Sequence, residues 1–187
     1  IAYLLEERRP YWRCGGAFGQ SHQVGACFDG GRRYARAYGE GPNPQEGPYQ
    51  DPGNLGTIIR SAVSFGIDTI VASKNTVDVY NSKVIRATEG MLFKINYLKR
   101  DLVEFINENK NILTFITTDV RDGKDIKNIE ISNNYALIMG NEGNGVSDAV
   151  SELVPNKVNI KISEKCESLN VSIATSILLY ELYTRLD

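Results

Sequence analysis

The chain has 187 residues, 42% of them hydrophobic and 24% charged. That is the size and make-up of a single globular domain with its own core. Its net charge of −2 gives no bulk electrostatic argument for nucleic acid, so an RNA partner would need a local or subunit-built basic surface. No apolar run approaches the ~20 residues of a membrane-spanning helix. Ile1 to Leu5 lead into Glu6 and Glu7, which is not a signal-peptide layout, and the cytoplasm is the expected compartment.

Residues 1–50 differ in character from the rest. They are rich in Gly, Arg, Tyr and Pro, and every lysine lies after them. No period of 2 or 3.6 runs far through residues 12–50, so a loop-like segment of uncertain order is expected, with residues 39–48 as a linker. Arg32, Arg33, Tyr34, Arg36 and Tyr38 also have the make-up of a basic, aromatic RNA-binding arm; a solvated tail is the plainer reading. Cys14, Cys27 and Cys166 are an odd set without framework spacing, against a disulfide-stapled domain. Cys14, His22 and Cys27 fit no common zinc spacing and lack a fourth ligand, so no metal is expected.

From residue 51 the punctuation becomes regular. Leu55, Ile58, Ile59, Ala62 and Val63 recur at helical spacing, and Gly66 stands where a C-terminal cap belongs. A strand is expected at 68–73, a helix around 81–89, a strand at 92–98 and a helix at 101–109. Strands follow at 112–118 and 135–140, a helix near 147–153, a strand at 158–162 and a long final helix at 170–186. Strands alternating with helices mean an α/β domain with a mainly parallel sheet covered on both faces. Ligands of such sheets bind at the carboxyl ends of the strands.

Three blocks carry the chemistry: DPGNLGTIIRSA from Asp51, LIMGNEGNGVS from Leu137, and IKISEKCESLNVSIA from Ile160. Each sets Gly, Asn or Ser beside a helix-like stretch, where bare backbone can approach a ligand. In the first, Asn54 can cap a helix, and Arg60 lies beside Thr57, Ser61 and Ser64 on a polar strip. The second resembles a phosphate-binding loop, but Val146 stands where such loops carry the lysine that reaches the terminal phosphates. NTP hydrolysis is therefore not expected. Its single carboxylate, Glu142, suits a neutral or cationic ligand better than a polyphosphate. In the third, Ser168 and Asn170 open the last helix, which is apolar on more than one face and so belongs in a deep core or a subunit interface.

Together the blocks resemble the three signature motifs of the SpoU (TrmH) family of RNA ribose methyltransferases, in the SPOUT superfamily. The match covers residues 51–187 and includes KVIRATEGMLFKI at 83–95. The resemblance implies a trefoil-knotted α/β domain, a homodimer joined through the C-terminal helix, and S-adenosylmethionine as cofactor. It implies methyl transfer to a ribose 2′-hydroxyl of structured rRNA or tRNA. Asn54, Arg60, Glu142, Ser168 and Asn170 match the catalytic positions, and Gly140, Ile160 and Leu169 the cofactor-binding ones. Two departures stand out. Lys161, Ile162, Ser163 and Glu164 replace the Pro-Met-x-Gly that usually follows Ile160, and GEGPNPQEGPYQ occupies the place of the usual first strand. A catalytically silent RNA-binding or cofactor-binding relative is the alternative that the second departure favours.

Overall fold

The computed structural model describes residues 3–7, 32–37, 51–120, 122–140 and 145–186. Strands β1 (Tyr3–Glu7) and β2 (Arg32–Ala37) precede helix α1 (Pro52–Ser64). Next come β3 (Thr69–Ala72), α2 (Ser82–Thr88), a 3-10 turn at Met91–Lys94, β4 (Asn96–Lys99) and α3 (Leu102–Asn109). The remainder is β5 (Thr114–Thr118), the short β6 (Lys124–Asp125), β7 (Tyr135–Met139), α4 (Asp148–Ser151), β8 (Asn156–Asn159) and α5 (Val171–Leu186).

Six strands form one sheet in the order β1-β2-β7-β5-β8-β6. All its pairings are parallel except β1 with β2, while β3 and β4 make a separate parallel pair. The reason β7 lies inside the sheet is legible in its sequence. YALIM is apolar at every position and buried at every position, as a strand covered on both faces must be. Around it gather Leu55, Ile58, Ile59 and Ala62 of α1, Ile116 of β5, Val158 of β8, and Leu178, Leu179 and Leu182 of α5, all buried.

Several local expectations change. Asp51, not Asn54, caps α1: its carboxylate accepts the Gly53 N–H at 2.9 Å, and Pro52 opens the helix, where its missing N–H costs nothing. Asn54 is thereby placed inside the first turn and buried. The strand expected at 92–98 starts late, because Glu89 and Gly90 both take positive φ and feed the 3-10 turn. The strand expected at 158–162 lies earlier, at Asn156–Asn159. Residues 32–37, expected in a loop or tail, form a strand whose Tyr34–Ala37 pair with β7; a strand needs only backbone donors and acceptors for this, so apolar alternation gave no sign of it. Cys14, His22, Cys27, Tyr38 and residues 39–48 lie outside the described residues.

Helix α1 is held between α2 and α5. On one side, a Cβ added at Gly56 would come within 2.4 Å of the Ala87 Cβ and 2.9 Å of the Val84 carbonyl oxygen, so glycine sets the distance between α1 and α2. On the other, Ser61 and Ser176 hydroxyls meet at 2.7 Å, and Phe65 packs against the rings of Tyr180 and Tyr183. Alanine gains only about 1 kcal/mol over glycine inside a helix. The clash at this site, partly against backbone, exceeds that. Gly56→Ala is expected to lower unfolding free energy by about 1–2 kcal/mol net, measured by urea denaturation.

Candidate active site

The second block follows directly from β7. Gly140 comes after Met139, and the chain returns so tightly that a Cβ on Gly140 would stand 2.2 Å from the carbonyl carbon of Gly145 and 2.5 Å from the Val146 nitrogen. Those contacts are with backbone, so no other residue fits without moving the loop. Gly145 itself has φ 65°, the left-handed region that favours glycine. Residues 141–144, Glu142 among them, lie outside the described residues.

Beside this turn opens a cleft of about 740 Å³, within the range of small-molecule sites. It lies at the carboxyl ends of β5, β7 and β8, as expected for a parallel sheet. Thr118 and Asp119 line it after β5, Met139 and Gly140 after β7, and Asn159 and Ile160 after β8. The segment Ser168–Val171 closes the far wall. Among the described residues its ionisable lining groups are Asp119, Asp148 and Lys157. Lys157 Nζ lies 3.4 Å from Asp119 Oδ2, and the surplus carboxylate favours a cation over a polyphosphate.

The expected cofactor positions converge: Gly140, Ile160 and Leu169 all line the cleft, as do Ser168 and Asn170. Asn54 joins them from behind. Asn170 caps α5 by accepting the Ser172 N–H at 2.9 Å through Oδ1, while its Nδ2 donates to Asn54 Oδ1 at 3.0 Å. The first and third blocks are therefore in direct contact. Arg60 is not part of that group. It lies outside the cleft lining, its side chain 54% exposed, and its Nη1 donates to Glu89 Oε1 at 2.8 Å.

Three residues of this region were missed by sequence reasoning. Ser172 Oγ lies 2.6 Å from Asn170 Oδ1 and 3.3 Å from Asn54 Oδ1; as a serine in the first turn of a helix it gave no distinct signal. Asp119 and Lys157 looked like ordinary charges at strand ends. Only the parallel pairing of β5 with β8 brings them together.

Residues 48–180 match the profile of the SpoU rRNA Methylase family. The 23S rRNA (guanosine(2553)-2′-O)-methyltransferase RlmP of Bacillus subtilis is 38% identical over 134 residues, 71% of this chain and 54% of that protein. Among solved structures, an AdoMet-bound rRNA methyltransferase from Sinorhizobium meliloti matches with a TM-score of 0.70 at 28% identity, over 82% of this chain and 55% of that one. The SpoU methyltransferase AviRb from Streptomyces viridochromogenes, in complex with AdoMet, has the same fold, with a TM-score of 0.70 at 24% identity over 81% of this chain and 57% of that one. The chain spans about half the length of the curated relatives it matches. The expected α/β architecture with its mainly parallel sheet is thus the SPOUT methyltransferase fold.

Proposed function

The chain belongs to the SpoU rRNA methylase family, and we propose accordingly that it transfers a methyl group from S-adenosylmethionine to a ribose 2′-hydroxyl of structured RNA. The observation that carries this reading is the cleft at the sheet's carboxyl edge, walled by the second and third blocks and tied through Asn170 to Asn54 of the first. Ribosomal RNA is the preferred substrate over tRNA, supported by the RlmP relative, which acts on 23S rRNA.

S-adenosylmethionine, when bound, supplies a methyl group on a positively charged sulfur. The cleft suits it in three respects. Gly140 keeps backbone accessible where any side chain would collide with the returning loop, Ile160 and Leu169 line the wall beside it, and Asp119 and Asp148 favour positive charge. These residues hold the cofactor in this reading.

Methyl transfer is an in-line displacement, so much of the rate comes from orientation. Asn54, Ser168 and Asn170 supply neutral hydrogen bonds that orient groups without needing a proton change, and Glu142 completes the set by its place in the second motif. The ribose hydroxyl is a weak nucleophile whose proton must be drawn away. A guanidinium offers N–H donors and no acceptor atom, so Arg60 is poorly suited to take it. Its role here is to hold the hydroxyl or an adjacent phosphate and stabilise the developing alkoxide.

A homodimer joined through α5 follows from the same reading. Ile173, Ile177 and Tyr180 recur at helical spacing on α5 and are 52%, 37% and 53% exposed, an apolar stripe of the kind that subunits bury. Arg60 lies outside its own chain's cleft lining, which favours its serving the partner's. The same reading includes the family's knot, supported by the likeness to SpoU methyltransferase structures. No described helix is long and apolar enough to cross a membrane, and a cytoplasmic location accords with work on RNA.

The test is transfer of a tritiated methyl group to in-vitro-transcribed, unmodified 23S rRNA, with tRNA transcripts alongside. Arg60→Ala should lower transfer at least a hundredfold, the order of loss seen when one transition-state donor is removed. Its affinity for S-adenosylmethionine should stay within about twofold, since Arg60 acts on the acceptor; equal loss of both would contradict the assignment. Ile177→Asp should convert a dimer to a monomer by light scattering at micromolar concentration. A monomeric parent chain there would count against the shared site.

A further inference from the structure

Glu89 is the one non-glycine residue with positive φ among those described, at φ 47° and ψ 43°. It ends α2 at the C-cap, where glycine would sit without strain and asparagine with little. A long, Cβ-bearing side chain in the left-handed region is a local cost, and such cost tends to be kept where it serves a site. Its surroundings are firmly placed. Gly56 and Ala87 bring α1 and α2 into close approach, and the buried Thr88 hydroxyl donates to the Ile85 carbonyl at 2.8 Å. From that base the Glu89 carboxylate takes the Arg60 Nη1 at 2.8 Å, one helical turn beyond Gly56.

Neither stability nor RNA affinity accounts for this glutamate. Both partners are more than half exposed, 54% and 63%, and ion pairs of that kind contribute little to folding. A carboxylate beside the RNA-facing arginine repels a polyanion rather than attracting it. What the pair does accomplish is geometric. It takes an arginine with several free rotations and fixes one corner of its fork, leaving the other donors for an oxygen of the RNA.

We propose that Glu89 is a positioning residue, holding the Arg60 guanidinium in the orientation it uses on the acceptor ribose or phosphate. This rests on the methyl-transfer reading above. Glu89 touches no reacting atom; it acts through Arg60.

The experiment compares the full chain with Glu89→Gly and Glu89→Gln. Glycine relieves the left-handed strain, so the melting temperature should rise by about 2–4 °C. At the same time, 15N relaxation of the Arg60 Nε–H should report a looser side chain. The kcat on unmodified 23S rRNA transcript should fall about tenfold, with the KM for RNA unchanged or lower and affinity for S-adenosylmethionine unchanged. Gln retains an acceptor oxygen and should recover part of the kcat. A Glu89→Gly protein with parental kcat overturns the proposal, as does unchanged Arg60 mobility, or a kcat that falls only with lowered stability. Tighter RNA binding at full kcat would make Glu89 a mere repulsive charge, again overturning it. If the parent chain methylates neither rRNA nor tRNA, the methyl-transfer reading fails separately. The relaxation data then still decide whether Glu89 orders Arg60.

Discussion

A buried amide ties the candidate site together. Asn54 is 6% exposed, and a buried polar group left without a partner costs about 1–3 kcal/mol. Its Oδ1 accepts from Asn170, which also caps α5 through its own Oδ1, and Ser172 packs its hydroxyl against both. The start of α1 and the start of α5 are thereby fixed relative to each other. The third block forms the far wall of the cleft, so that wall is anchored from behind by a residue of the first. Asn54 and Asn170 are expected to orient reacting groups, yet the same atoms hold the wall in place. Substituting either one disturbs the anchoring of that wall.

Steric limits on backbone complete the arrangement. Gly56 lets α2 come against α1, and Gly140 lets the loop after β7 fold back on its own origin. The first approach delivers Glu89 to Arg60, the second leaves bare backbone at the mouth of the cleft. In both places the close approach depends on an absent side chain. The larger apolar groups, such as Tyr135 and Leu55, which are almost fully buried, supply the stability that allows such tight passages.

Much of this was legible in the sequence, for identifiable reasons. The 3.6-residue recurrence of Leu55, Ile58, Ile59 and Ala62 marked α1, and the unbroken run YALIM marked a strand buried on both faces. Gly140, Ile160 and Leu169 stood out through the resemblance of their blocks to the SpoU motifs, and all three line the cleft. What stayed hidden depends on long-range placement. Asp51 rather than Asn54 proved to be the helix cap, since both types cap equally well. Pairing of residues 34–37 with β7 left no mark in side-chain pattern. Glu89 looked like an ordinary surface charge, because nothing in a sequence shows a glutamate in the left-handed region facing an arginine on another helix.

Everything proposed for this chain requires that the cleft at the ends of β5, β7 and β8 receive S-adenosylmethionine. Calorimetric titration of that cofactor into the full chain addresses it without any knowledge of the RNA. Saturable binding at micromolar concentration is expected, one cofactor per chain, weakened at least tenfold by Gly140→Ala in a protein that still folds. Absence of binding up to millimolar cofactor would contradict the claim.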